Sequence, residues 1–152
     1  VGATRSAYYE VESSLADHVR AMVDAADARA DVTFVERTTE IEHYHRASDV
    51  FVLPSLREGL PNALLEAMAC GSACVASRLL GVTDRLLEDG VSGWLTAPGD
   101  AAALTAALAS ASADRADAVA RGQRARARIV ADYSLAATAD AYARLYQDLE
   151  AH

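Results

Sequence analysis

Hydrophobic positions along the 152-residue chain follow two alternating periods. Stretches with apolar residues three and four apart, the mark of a helix with one buried face, are separated by short continuous apolar runs, the mark of a strand buried on both faces. Helical spacing covers Ala7 to Ala30. "VTFV", Val32 to Val35, predicts a short β-branched strand, and "TEIEHYHRA" predicts a short helix with Thr39 as its N-cap. The run Val50 to Leu53, stopped by Pro54, predicts a strand buried on both faces. A helix is expected from Pro61 to Gly71, a strand at Cys74 to Ala76, a helix at Val82 to Glu88 stopped by "EDGVSG", and a last strand at "WLT" from Trp94.

From Pro98 onward the pattern is helical. Asp100 is placed to cap a helix over Ala101 to Ala109, a second helix runs from Asp114 to Ala131, and Ser134 is placed to cap a third that reaches Leu149. Tyr142, Leu145, Tyr146 and Leu149 recur at helical spacing and predict a stripe that docks the last helix on the body. There is no repeat and no linker-like segment. The alternation as a whole predicts a layered α/β domain with a mainly parallel sheet.

Composition narrows the partners. At 52% hydrophobic residues with a mean hydropathy of +0.05, the chain has the make-up of a packed globular protein. No apolar run reaches membrane-spanning length, and "VGATRSAYYE" lacks a basic region followed by an apolar stretch, so a cytoplasmic location is expected and any membrane contact is not through this segment. With 14 basic against 22 acidic residues, no nucleic-acid partner is expected. Arg121, Arg124, Arg126 and Arg128 spread around a helix and read as a solvated face. Cys70 and Cys74 read as buried reduced thiols, and His43 and His45 fall on different sides of the short helix, so no metal site is expected.

Chemistry concentrates in "REGLPNALLEAMACG", Arg57 to Gly71. Pro suits the first position of a helix, so Leu60 would occupy the N-cap and Glu58 would lie in the loop after the strand. Leu60 can accept nothing, which leaves the amides of Asn62 and Ala63 as donors at the positive helix end, directly after the carboxyl end of a strand. That is a natural anion site; the plainer alternative has Asn62 cap the helix and water satisfy the rest. Leu64, Leu65 and Met68 supply the apolar face. Glu66 lies among Ala63, Ala67 and Cys70, all small, and is either a ligand carboxylate of the kind that accepts from ribose hydroxyls or an ordinary exposed helix glutamate.

"SDVFVLPSLREGLPNALLEAMACGSACVAS", with "LLEDGVSGWLTAPGD" and a helical tail ending "YARLYQDL", resembles the C-terminal, nucleotide-sugar-binding domain of retaining glycosyltransferases of the GT-B fold, glycosyltransferase family 4. The likeness runs from about Val32 to the end and centres on the family's Glu-x7-Glu motif, here Glu58 and Glu66. It implies a Rossmann-like α/β fold, with residues 1–152 forming a partial domain that ends in helices from about residue 100. It implies that Glu58, the one catalytic residue assigned, and the amides after Gly59 address the donor sugar. Leu60 and Pro61 belong to the same donor loop, Asn62 and Ala63 face the diphosphate, Leu64 and Leu65 lie near the nucleoside, and Glu66 holds the ribose. The donor is an NDP-sugar, and no cofactor or metal is implied.

The chain departs from the family in three places. It reads "GSACV" for Gly-x-Pro-Val-Val and "LGVTD", Leu80 to Asp84, for Gly-Gly-x-x-Glu, so Leu80 could alter access to the donor. Against the family pattern, the residues given are expected to lack the domain's first strand, first helix and most of its second strand, with the Arg and Lys that neutralise the diphosphate, and also the N-terminal acceptor domain, which would be supplied in cis or in trans. The fragment is therefore expected to be inactive alone. Loss of a central strand also leads to an expectation of marginal stability. The alternative reading is a non-catalytic nucleotide or nucleotide-sugar binding module completed by another chain.

Overall fold

Three short strands carry the core because their side chains alternate between two helical layers. A computed structural model of the protein describes residues 13–35 and 37–150. Its elements are α1 (Ser13–Ala25), α2 (Ile41–Ala47), β1 (Val50–Leu53), α3 (Asn62–Cys70), β2 (Ala73–Ser77), α4 (Thr83–Leu86), β3 (Trp94–Thr96), α5 (Ala101–Ala113), α6 (Arg115–Asp132) and α7 (Leu135–Glu150). The strands form a parallel sheet in the order β1-β2-β3, with Val50 opposite Ala73 and Val75 opposite Trp94. The chain divides into two units, residues 1–41 and 42–152.

In the second unit, Phe51, Leu53, Cys74, Ala76 and Leu95 pack on one face of the sheet against Leu64, Ala67 and Met68 of α3 and Ala125 and Ile129 of α6. Val50, Ala73, Val75 and Trp94 pack on the other against Leu104, Ala107, Leu108 and Ala111 of α5 and Ala118 at the start of α6. This is the three-layer, Rossmann-like α/β arrangement expected of parallel strands joined by helices. β2, central, is buried at all five positions, whereas β1 is only half-buried, contrary to the strand buried on both faces that its apolar run predicts. Among the described residues nothing pairs with the outer edge of β1.

Helix ends follow local chemistry. Gly71, at φ 80°, terminates α3, with its N–H donating to Met68 O and that of Ser72 to Ala67 O. α6 crosses so close to this turn that a Cβ on Gly122 would stand 2.2 Å from Gly71 O. Asp100 and Asp114 cap α5 and α6 by accepting from Ala103 N and Asp117 N, and Ser134 Oγ accepts from Ala137 N at 3.2 Å.

Several expectations need correction. Residues 7–12 of the first predicted helix lie outside the described residues. Its end comes at Ala25 rather than Ala30, because Asp27 turns left-handed (φ 53°) and Ala28 N–H donates back to Val23 O. Val32 to Val35 form no strand: β propensity does not hold a ladder without a neighbouring edge. The hydroxyl that leads into α2 is that of Thr38, which accepts from Glu40 N, not that of Thr39. α4 is shorter than Val82 to Glu88, since Leu87 is already extended, and α5 runs on to Ala113, where Asp114 begins the next helix. The expected docking stripe on α7 is exposed: Tyr142, Leu145, Tyr146 and Leu149 all keep more than half their surface, and no residue of that helix is buried.

The basic run on α6 is exposed at Arg124 and Arg126, but its side chains also bind the rest of the chain. Arg121 lies 4.3 Å over the Trp94 ring and donates to Gly93 O, Arg124 donates to Val91 O, and Arg126 donates to Ala69 O. Three arginines thus bind α6 to the end of α3 and to the loop before β3. No helix among the described residues is long and apolar enough to cross a membrane.

Candidate functional site

Parallel strands that all run one way deliver their following loops to one edge of the sheet. Here those loops are residues 54–61 after β1, 78–82 after β2 and 97–100 after β3. Crevices at this carboxyl edge are where open α/β sheets bind ligands. The loops touch: a Cβ on Gly99 would meet Leu56 Cδ2 at 3.6 Å. A crevice of about 160 Å³ opens beside them, lined by Pro54, Ser77, Thr96 and Leu104 among others. A larger cavity, about 450 Å³, lies at the opposite, amino edge, between Val50, Ala73 and the start of α6.

Glu58 is half-buried in the first loop, and Ser55 Oγ donates to its Oε1 at 2.6 Å. This short bond favours one orientation of the carboxyl group. Ser55 is absent from the sequence reading; its signal is a hydroxyl three residues before the glutamate. Gly59 and Leu60 are exposed, and a Cβ on Gly59 would meet nothing within 4 Å, so a side chain there is limited only by what occupies the space beyond.

The start of α3 is shifted by one residue from its prediction. Pro61, not Leu60, is the cap, and its carbonyl accepts from Leu64 N and Leu65 N at 2.9 and 3.1 Å. No side chain caps the helix, so Asn62 does not do so. The Asn62 amide, expected as an unsatisfied donor, instead donates to Leu60 O at 2.9 Å. The Ala63 N–H has no acceptor among the described residues and remains a donor at the positive end of the helix.

Asn62, Ala63 and Glu66 form the exposed face of α3, while Leu64, Ala67 and Met68 form the buried one. Leu64 has no exposed surface and packs in the core, while Leu65 keeps part of its surface. Glu66 is 53% exposed, with Oε2 4.0 Å from Nε2 of His45. His45 itself is buried, pointing away from exposed His43, and burial pushes its imidazole below the ordinary histidine range, with Glu66 opposing.

Leu80, after β2, is 84% exposed at the same edge. Cys74 is buried with its thiol pushed up to about 12, and Cys70 is half-buried. No three of the described His, Cys, Asp and Glu side chains come together as a metal ion requires.

Comparison with known proteins bears on this geometry. Residues 10–114 match the family model described as Glycosyl transferases group 1. The chain is 43% identical over 101 residues to the amylovoran biosynthesis glycosyltransferase AmsK of Erwinia amylovora, covering 62% of this chain and 25% of that protein. It is 35% identical over 136 residues to the lipopolysaccharide core biosynthesis mannosyltransferase LpcC of Rhizobium leguminosarum, covering 90% of this chain and 38% of that protein. The chain thus spans well under half the length of these relatives. Among solved structures, sucrose-phosphate synthase from Thermosynechococcus elongatus superposes with a TM-score of 0.78 at 31% identity, over 91% of this chain and 35% of the other. HepE of Anabaena, solved in complex with UDP, superposes with a TM-score of 0.84 at 22% identity over 90% of this chain and 38% of the other, a likeness of fold. These neighbours share the GT-B fold, and the three-layer unit agrees with a Rossmann-like domain of it.

Proposed function

Because the chain belongs to the glycosyl transferases group 1 family, we propose that it is the donor-binding part of a retaining glycosyltransferase of family 4, contributed by the C-terminal domain of the GT-B fold. The whole enzyme would move a hexosyl group from an NDP-sugar to an acceptor held by a second domain, in cis or in trans. The observation that carries the reading is the placement of Glu58 in the loop after β1, at the carboxyl edge of a parallel sheet, with Glu66 on the exposed face of the helix that this loop leads into.

In this reading Glu58, oriented by Ser55, meets the donor sugar together with the backbone after Gly59. The exposed start of α3, with Asn62 and the Ala63 amide, faces the diphosphate. As the bond to the sugar breaks, negative charge grows on the leaving phosphate, and a fixed positive helix end stabilises that charge more than it stabilises the intact donor. No metal is needed for this step. Leu65 borders the nucleoside, and Glu66 accepts from the ribose hydroxyls. UDP is the first nucleotide to try, since HepE has been solved with it.

The two glutamates separate the reading into parts. Ribose is held equally in ground and transition states, so Glu66→Ala should weaken binding of the nucleotide and the nucleotide sugar alike, by about 1.5–3 kcal/mol. Glu58→Ala should leave affinity for the free nucleoside diphosphate unchanged and lower turnover of the completed enzyme. Binding assays on both variants check this; if Glu58→Ala costs nucleotide affinity and Glu66→Ala does not, the roles are misassigned.

A further inference from the structure

Among the described residues His45 Nε2 and Asp84 Oδ1 are the buried side-chain polar atoms without a hydrogen-bond partner. A desolvated donor or acceptor left unpaired is unfavourable and calls for an explanation. His45 is anchored by its backbone and packs its ring on β1. Its ring meets Phe51 of β1 edge-on, with centroids 5.3 Å apart, and its carbonyl accepts from Ser72 Oγ and Ser48 Oγ at 2.9 and 3.1 Å. The group closest in chemistry to a partner is the Glu66 carboxylate at 4.0 Å, beyond hydrogen-bond reach.

Glu66, by contrast, is a long side chain on an exposed helix face, free to change rotamer. A movement of about 1 Å brings its Oε2 within range of Nε2. One carboxylate oxygen then accepts from the imidazole while the other, with its two lone pairs, remains outward.

We propose that His45 is a positioning residue for Glu66: its buried Nε2–H donates to one carboxylate oxygen when a nucleotide binds, and so presents the other to the ribose hydroxyls. The inference rests on the reading of Glu66 as the ribose contact. It gives the unpaired Nε2 of the buried imidazole a partner on the neighbouring helix. With its protonation pushed toward the neutral form by burial, the ring carries one N–H, and placing it on Nε2 suffices.

The test uses the full chain with UDP, GDP and ADP, each beside its 2′,3′-dideoxy analogue. Wild-type protein should prefer the ribonucleotide. His45→Phe, which keeps the ring against Phe51, should lower ribonucleotide affinity roughly five- to tenfold and leave the dideoxy analogue within about twofold. His45→Gln, whose amide can donate from a similar place, should restore most of the preference, and His45→Phe should add nothing in a Glu66→Ala background. If Glu66→Ala keeps the ribose preference, or no nucleotide binds, the reading of Glu66 itself fails and the inference with it. If Glu66→Ala abolishes the preference and folded His45→Phe does not, only the positioning role is overturned. Should the Phe variant not fold, the ¹⁵N resonance of His45 Nε2 in the wild type decides. A shift with the ribonucleotide that the dideoxy analogue does not produce supports the role, and equal or absent shifts overturn it.

Discussion

Cys70 and Cys74 lie on either side of the turn at Gly71, yet their environments differ. Cys74 is wholly buried on β2, its Sγ donates to Ser72 O at 3.3 Å, and burial raises its pKa to about 12. At pH 8 its thiolate fraction is then roughly one in ten thousand, and the thiol is a packing group. Iodoacetamide should therefore modify Cys70 alone in the native chain and both cysteines after unfolding, as read by peptide mass spectrometry; native labelling at Cys74 would contradict the packing described. The same scale shows what a sequence reveals about a site. Glu58 and Glu66 stand out because the loop-to-helix spacing and the small neighbours of Glu66 are local features. The contact between His45 and Glu66 crosses from one helix to another over an intervening strand, and no local spacing announces it. The shift of the helix cap from Leu60 to Pro61 was equally hidden, because it turns on a single bond from Asn62 N to Leu60 O.

At the scale of elements, α6 crosses the turn after α3 with no room for a side chain at Gly122. The Cβ of Gly122→Ala would meet backbone, Gly71 O at 2.2 Å and Ser72 C at 3.0 Å, so a helix or a strand start must move. Overpacking of this kind costs about 1–3 kcal/mol, and Gly122→Ala should lower the urea midpoint without altering its slope. Gly59→Ala, with nothing within 4 Å, is the control and should leave the midpoint close to wild type. An unchanged midpoint for Gly122→Ala would show that the two helices are looser than described. The strands at Val50, Cys74 and Trp94 and the caps Asp100 and Ser134 were legible because their signals are local. Two elements misled for the opposite reason. "VTFV" has strand composition, but a strand exists only with a paired edge, and Tyr142, Leu145, Tyr146 and Leu149 have the spacing of a buried stripe, which says nothing of whether a surface lies opposite. The arginines of α6 look solvated in sequence since their acceptors are carbonyls of Gly93, Val91 and Ala69, remote in the chain.

At the scale of the molecule, parallel topology explains why the chemistry gathers where it does. Strands running one way place the Glu58 loop, the Leu80 loop and the turn at Gly99 on one edge, with the positive end of α3 opening onto it. The larger cavity at the amino edge has no comparable convergence of a helix start and strand carboxyl ends, so its size does not mark it as the site. The unpaired outer edge of β1 leaves this sheet open on that side among the described residues, and half-exposes a strand whose sequence reads as fully buried. The central claim is that the carboxyl edge holds a nucleoside diphosphate through the start of α3 and Glu66. The measurement that tests it most directly is calorimetric titration of the folded full chain with UDP, GDP and ADP in a buffer containing a metal chelator. The account predicts that at least one of the three saturates a single site per chain and that the chelator does not weaken it. A chain that unfolds cooperatively, and is therefore folded at the start, yet binds none of the three would contradict it.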